Sequence, residues 1–121
     1  LGWPHRSDVP IGRIDWSRPR TLEFAPVDRV TYPLLDLAVA AGAAGGTAPA
    51  VLNAANEEAV AAFLARRLPF PGIAEVVTRV LDAHRQPAEL DLAAVLAAEQ
   101  WSRELARTLV GDLSVTRRAN G

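Results

Sequence analysis

The chain has 121 residues, half of them hydrophobic, and a formal net charge of −1. This length allows one domain with its own core, or one domain plus an arm. The near-neutral charge excludes an electrostatic case for binding nucleic acid or an anionic membrane. The absence of cysteine excludes disulfides and thiolate metal sites, and no apolar run approaches the roughly 20 residues of a membrane helix.

Residues 1–30 are predicted to form an extended, partly stranded arm. Prolines recur through this segment too often for a helix to propagate. Residues 20–24 alternate between polar and apolar side chains, as a half-buried strand does. Because the arm has no core of its own, we expect another surface to cover its large apolar side chains, which are Trp3, Trp16, Leu22 and Phe24.

Residues 31–110 are predicted to form four helices. Thr31 is a candidate N-cap of the first helix, which the glycines from Gly42 to Gly46 end. Thr47 is a candidate N-cap of the second helix, and Arg66 and Arg67 are expected to close it. The apolar side chains of this second helix follow helical spacing: Val51, Leu52, Ala55, Ala59, Ala62 and Phe63.

Prolines at positions 69 and 71 interrupt the chain before a third helix, in which Glu75 is spaced to pair with Arg79. Its predicted apolar stripe is Ile73, Val76, Val77, Val80 and Leu81. Asp91 is the candidate cap of a fourth helix, with Glu99 and Arg103 expected to pair on its outer face. The side chains predicted to face inward from this helix are Leu92, Val95, Leu96, Leu105 and Leu109.

These elements predict a mainly α fold, a compact antiparallel bundle of about four helices preceded by the arm. Its connections are only a few residues long, which favours antiparallel neighbours. Residues 111–121 have no apolar period and are predicted to be a frayed tail.

A polar face on the second helix is the main candidate site. Asn53, Asn56 and Glu57 share one side of an otherwise apolar helix, because they are spaced i, i+3 and i+4. One interpretation is a contact with another domain. The other is internal capping and hydrogen bonding between helices, since buried amides need partners. No histidine, cysteine or second carboxylate motif joins them, which gives the internal interpretation more weight.

Other candidate sites have weaker support. The loop from Gly42 to Thr47 precedes a helix, but it lacks the Gly-Lys-Ser/Thr sequence of a P-loop. It is better explained as one helix end followed by another helix start. The two histidines, His5 and His84, are too few for a metal site, and no serine lies in a nucleophile motif.

The run of residues 48–64, APAVLNAANEEAVAAFL, resembles the first long C-terminal helix of the 1-deoxy-D-xylulose 5-phosphate reductoisomerase family. Residues 1–4, LGWP, resemble the point at which that enzyme's catalytic domain passes into its linker. The resemblance covers about residues 1–110. Further matches to the linker and to the next helix lie in Leu22–Phe24, Pro26–Asp28, Tyr32–Pro33 and Leu68–Val77.

The resemblance implies the C-terminal linker and helical domain of a longer cytoplasmic enzyme. That enzyme uses NADPH and Mg²⁺ or Mn²⁺ to convert 1-deoxy-D-xylulose 5-phosphate to 2-C-methyl-D-erythritol 4-phosphate in non-mevalonate isoprenoid biosynthesis. The family's cofactor, metal and catalytic groups lie upstream and have no matching positions here. We therefore expect this chain alone to bind no cofactor and to be inactive. Its expected partner is the upstream catalytic domain, in a homodimeric enzyme.

By the same resemblance, Leu1 matches an apolar residue at the pocket edge. Trp3 joins the polar face of the second helix, Asn53, Asn56 and Glu57, as an expected contact with the catalytic domain. The chain starts with Leu and contains no Met, which fits a piece of a longer protein. The alternative is a free-standing helical interaction module without catalytic activity. A helix-turn-helix DNA-binding protein would fit the short helices but not the charge.

Overall fold

The computed structural model describes residues 14–119, with side chains to residue 114, and confirms a mainly α fold. An arm precedes four helices, α1 (Leu34–Ala44), α2 (Ala48–Leu64), α3 (Phe70–Ala83) and α4 (Leu92–Ala119). Within the described range no residue is in a strand, so the predicted strand of the arm is not found there.

Two sets of contacts define the directions of the last three helices. Gln86, just beyond the end of α3, bonds to Thr47 at the start of α2, so α3 runs opposite to α2. Ser102 of α4 contacts Val51 of α2. Further along both helices in the C-terminal direction, Arg107 contacts Glu58. The helix α4 therefore runs parallel to α2 and opposite to α3, in an up-and-down bundle of the predicted kind.

The core is made of small side chains. Its largest hydrophobic side chains that are less than 2% exposed are valines, and alanines of α2 and α4 fill the space between them. Alanine at a helix contact lets two backbones approach closely while keeping the density of a packed interior. The buried cluster contains Val51, Ala55, Ala59, Ala62, Leu68, Ile73, Val76, Val77, Val80, Ala106 and Val110.

The apolar stripes predicted for α2 and α3 are confirmed, but that of α4 is wrong in its first turns. Leu92 is 74% exposed and Leu96 is 56% exposed. The residues that α4 buries instead are small or β-branched: Ser102, Ala106 and Val110. Periodicity favoured the larger leucines, but the partly buried residues of these turns are Ala94, Val95 and Ala98. The helix also continues to Ala119, whereas a frayed tail was predicted from residue 111.

Local hydrogen bonds at helix ends differ from the predicted caps. Thr31 does not cap α1, because its hydroxyl donates to Asp28, whose carboxylate also accepts from the backbone of Val30. Thr47 makes no side-chain cap to α2. Asp91 does cap α4, accepting the backbone N–H of Ala94 at 2.7 Å, and the predicted Glu75–Arg79 pair forms at 2.5 Å.

The predicted glycine end of α1 is confirmed at Gly45, whereas the positions of Gly42 and of two arginines differ from prediction. Gly42 lies inside α1, and Gly45 is the residue that ends it, donating its N–H to Ala41. The helix α2 ends at Leu64, before Arg66 and Arg67, so neither arginine is in its last turn.

The arm projects its side chains into solvent. Trp16 is 86% exposed, Phe24 is 91% exposed, and Leu22 and Val30 are similarly open. Every residue from 14 to 30 is exposed. Because these side chains gain nothing from the bundle, the described arm adds little to its stability.

Candidate functional site at the contact of α2 and α4

The polar face of α2 is joined to α4 through a single arginine. Asn53 donates from Nδ2 to Glu57 Oε1 at 2.9 Å. The other carboxylate oxygen of Glu57 accepts from Arg103 Nη2 of α4 at 2.6 Å. Asn53 and Glu57 are exposed on the bundle surface, and their contacts lie within this chain.

Arg103 also bonds to two further carboxylates. Its Nη2 donates to Glu99 at 2.7 Å, and its Nη1 lies 3.5 Å from Glu58. Arg107 contacts Glu58 with two parallel bonds of 2.9 and 2.7 Å, the bidentate geometry in which arginine binds carboxylate best. We call Asn53 and the charged residues that are bonded here the α2–α4 network. Its charged members are Glu57, Glu58, Glu99, Arg103 and Arg107.

The charges of the network stabilise one another. The hydrogen bond from Arg103 lowers the pKa of Glu57, and the hydrogen bond from Arg107 lowers that of Glu58. The bonds to Glu99 and Glu57 raise the pKa of Arg103 above its ordinary value. Glu57, Glu58 and Arg103 are therefore charged at neutral pH. Glu99 and Arg103 were predicted to pair on the outer face of α4, but Arg103 is half-buried and reaches across to α2.

Asn56 stands apart from the other two members of the predicted face. It is half-buried, and within residues 14–119 its side chain has no hydrogen-bond partner. The structure thus connects Asn53 with Glu57 and leaves Asn56 outside the network. Leu1, Trp3 and His5 lie outside the described residues.

A buried hydroxyl adds a second contact between the same two helices. Ser102 is fully buried and donates to the carbonyl oxygen of Val51 at 2.7 Å. The sequence placed Ser102 in no motif, because a serine in mid-helix gives no sign of its partner. The contact fixes α4 against α2 along its axis, beside the arginines that fix it on the surface.

A second polar cluster, which sequence analysis missed, joins the α1–α2 turn to the end of α3. The Thr47 hydroxyl lies 2.8 Å from His84 Nε2. The amide oxygen of Gln86 accepts the backbone N–H of Thr47 at 3.0 Å, and its nitrogen donates to the carbonyl of Gly45 at 3.0 Å. We call Thr47, His84 and Gln86 the turn latch. These contacts link residues 37 to 41 positions apart, which no local pattern could indicate.

Two neighbours define the surroundings of the latch. Gly46 has φ +57°, and a Cβ there would lie 2.3 Å from Gln86 Oε1, so a side chain at this position would be strained and would displace the Gln86 amide. The ring of Trp101 lies 6.0 Å from that of His84. Burial, with a smaller effect from the charge of Arg85, lowers the pKa of His84 below 6.5. The latch is therefore neutral near pH 7 and holds the turn by hydrogen bonds.

The structure also gives the surroundings of the acidic and histidine side chains and of the loop before α2. Within residues 14–119 no three His, Asp or Glu side chains come together as metal ligands would. In the loop before α2, the hydroxyl and the backbone N–H of Thr47 form hydrogen bonds with His84 and Gln86 of the same chain. None of the four helices, as far as they are described, is long and apolar enough to cross a membrane.

Comparison with known proteins gives relatives of one kind. The 1-deoxy-D-xylulose 5-phosphate reductoisomerase of Streptomyces coelicolor is 48% identical over 120 residues, covering 97% of this chain and 29% of that protein. That of Moorella thermoacetica is 45% identical over 114 residues, 94% of this chain and 30% of the relative. The chain thus spans less than a third of the length of these relatives.

A solved structure agrees with these matches. The reductoisomerase of Zymomonas mobilis in complex with NADPH has a TM-score of 0.72 and 37% identity, over 89% of this chain and 29% of that one. The family model described as the DXP reductoisomerase C-terminal domain matches residues 1–105. Since that match covers most of the chain, the chain belongs to the DXP reductoisomerase C-terminal domain family.

Proposed function

We propose that this chain is the C-terminal part of a 1-deoxy-D-xylulose 5-phosphate reductoisomerase. The whole enzyme would convert 1-deoxy-D-xylulose 5-phosphate to 2-C-methyl-D-erythritol 4-phosphate with NADPH and a divalent metal. The observation that carries the proposal is the match of residues 1–105 to a domain described as C-terminal, in relatives more than three times as long. The resemblance of residues 48–64 to the family's helix supports the same assignment.

The role of this part is to brace the catalytic part. Arg103 and Ser102 hold α4 against α2 both at the surface and in the core. A bundle fixed in this way offers a rigid support, and enzymes lose large rate factors when catalytic groups shift by an ångström. The chain would thus raise the rate by positioning groups that it does not itself contain.

NADPH and the metal would be held by the remainder of the enzyme. When bound they supply hydride and a Lewis acid, respectively. The described residues contain no ligand set for the metal, so no step of the reaction is assigned to them. We expect the isolated chain to fold without reducing substrate.

A chimera tests this proposal. The C-terminal 29% of the Streptomyces coelicolor enzyme, the part that this chain matches, is replaced by the chain. NADPH oxidation is followed with 1-deoxy-D-xylulose 5-phosphate and Mg²⁺. We expect kcat/KM within about tenfold of the parent enzyme, a loss of about 1.4 kcal/mol or less in transition-state stabilisation.

Two controls make the result interpretable. The parent enzyme truncated at the same point should be inactive, and the isolated chain should show no turnover. A folded but inactive chimera would contradict the proposal and favour a free-standing interaction module, for which the exposed Trp16 and Phe24 offer a contact surface. We also propose that the whole enzyme is a homodimer, as the resemblance implies, and the molar mass of the active chimera in solution tests this.

A further inference from the structure

The composition of α1 does not suit a helix with one face in water. Asp36 is its single charged residue, and the arm contributes the partner, Arg29. A surface helix normally carries polar side chains opposite its buried stripe. Here Leu34 and Leu37 pack against the core, while Leu35 and Val39 on the outside are 43% and 65% exposed. The helix is therefore apolar on both sides.

The outer residues form a stripe of their own. Leu35 and Val39 are four residues apart, and Gly42 and Ala43 continue the same face at i+7 and i+8. The stripe leads into an apolar groove of about 380 Å³, which Leu35 shares with Val30 and with residues at the start of α3. We call Val30, Leu35, Val39, Gly42 and Ala43 the α1 face.

The outer faces of the other helices differ from the α1 face. On α3, Glu75, Arg79 and Asp82 are exposed, and on α4 Glu104 and Arg107 are exposed. Those helices show the charged outer surface expected of a bundle in water. The α1 face itself contains no charged residue, and Asp36, three residues before Val39, lies at its edge paired with Arg29. Burying the face against another apolar surface would therefore require no charged group other than this edge pair to lose water.

The arm indicates what covers the α1 face. It runs directly into α1 with its own apolar residues exposed, Trp16 and Phe24 among them. Arm and face thus form one continuous apolar surface along the chain. This chain matches a domain described as C-terminal and covers 29% and 30% of two relatives, so about 70% of their length lies outside the match. Because a C-terminal domain follows the rest of its protein, the arm is the segment of this chain nearest to that remainder.

Resting on the proposed function, we propose that the α1 face docks against the catalytic part of the same enzyme, and that α1 is the helix through which the bundle braces it. The face is apolar and continuous with the arm, which is what an interface between domains of one chain requires. The α2–α4 network lies on other helices and then serves to keep the bundle rigid behind this contact.

Thiol labelling tests the docking directly, because the chain has no cysteine of its own. Val39→Cys is made in the isolated chain and in the chimera described above, and Leu96→Cys serves as the matched control at a comparable exposure on α4. The labelling rate of each position is followed by mass spectrometry of its own peptide. In the chimera Val39→Cys should react at least about tenfold more slowly than in the isolated chain, since a covered thiol reacts only when the interface opens. Leu96→Cys should react at the same rate in both.

The outcomes separate the two proposals. Equal labelling of Val39→Cys in an active chimera would overturn the docking inference and leave the proposed function standing. Protection of Val39→Cys in an inactive chimera would support docking and contradict the proposed function. Equal slowing at Leu96→Cys would also overturn the inference, because the protection would then not be specific to the α1 face.

A charge substitution gives an independent readout. Leu35→Glu with Val39→Glu should lower chimera kcat/KM by at least about tenfold, with circular dichroism of the isolated chain unchanged. Leu92→Glu with Leu96→Glu, exposed leucines spaced four residues apart on α4, should leave kcat/KM unchanged. An unchanged rate in the α1 variant would overturn the inference.

Discussion

Two regions of the molecule differ in whether their side chains find partners within the chain. The first is the contact between α2 and α4, and the second is the surface made by the arm and the outer side of α1. At the α2–α4 contact, Arg103 bonds to three carboxylates and Ser102 finds a buried carbonyl oxygen. Within the described residues no buried side-chain polar atom lacks a partner. On the arm and α1, by contrast, Phe24, Val30 and Val39 are mostly exposed.

The difference separates the residues that stabilise the bundle from the exposed residues that are available to contact another domain. The α2–α4 contact is complete within this chain, because its groups satisfy one another. The arm and the outer side of α1 gain little from the fold, so the apolar character of these exposed residues has another cause. We therefore expect substitutions in the first region to change the stability of the isolated chain, and substitutions in the second to change assembly with the rest of the enzyme.

The largest effect on stability is expected where the two regions meet, at the α1–α2 turn. Gly46→Ala should lower the free energy of unfolding by about 2–3 kcal/mol, because a side chain at positive φ is strained and its Cβ displaces Gln86 from two hydrogen bonds. Urea unfolding followed by circular dichroism measures this.

Gly42→Ala is the matched control for Gly46→Ala. Gly42 is inside α1, and a Cβ there would meet nothing within 4 Å. That substitution should raise the free energy of unfolding by about 0.5–1 kcal/mol. A loss of similar size from both variants would show that the turn latch does not hold the turn.

The next effect in size concerns the centre of the α2–α4 network. Arg103→Ala should lower the free energy of unfolding by about 1–2 kcal/mol, because it leaves the half-buried carboxylates of Glu58 and Glu99 with fewer donors. Arg79→Ala removes an exposed pair within α3 and should cost no more than about 0.5 kcal/mol. If chemical denaturation gives equal losses, the network is no more important than an ordinary surface pair.

A smaller effect is a dependence of stability on pH at the turn latch. The pKa of His84 is lowered in the fold from 6.5, so the unfolded chain binds more protons between that lower value and 6.5. The stability from neutral His84 is complete above pH 6.5 and is lost as pH falls through this window. The groups facing its ring are the Thr47 hydroxyl, the Arg85 charge and the Trp101 ring.

His84→Gln tests this dependence. Denaturant midpoints measured from pH 7.5 to about pH 5 should fall less in the variant than in the unsubstituted chain. Parallel curves for the two proteins would assign the pH dependence to other groups.

The smallest effect is expected on the arm. Phe24→Ser should change the free energy of unfolding of the isolated chain by less than about 0.5 kcal/mol, because this side chain is 91% exposed. Thermal unfolding of the two proteins checks it. A loss above that size would mean that the arm packs on the bundle, and the comparison between the two regions would not hold.

Sequence analysis predicted the features that depend on neighbours along the chain. The apolar stripes of α2 and α3, the Asp91 cap and the Glu75–Arg79 pair involve residues three or four positions apart, and the structure contains all of them. Asn53 and Glu57 are bonded at this spacing too. Whether they also contact another domain stays a prediction.

The features missed by sequence analysis depend on the packing of distant segments. The sequence predicts Thr47 as a helix cap, but its hydroxyl forms a hydrogen bond with His84, 37 residues away. Leu92 and Leu96 match a helical stripe, yet both are exposed, and the partly buried residues of these turns are Ala94, Val95 and Ala98. Arg103 was placed on an outer face because the sequence indicates its partner on the same helix, Glu99, but not Glu57 across the bundle.

The valine and alanine core described above limits how this domain can diverge. Ala55, Ala59, Ala62 and Ala106 are all at most 1% exposed, so none has free space around its methyl group. Shortening a side chain here removes few atoms, whereas lengthening one pushes two helix backbones apart. Random substitutions at these positions are therefore harmful mainly when they add volume. Over time, accepted changes in the core should exchange one small residue for another, while the exposed leucines of α4 can vary in size.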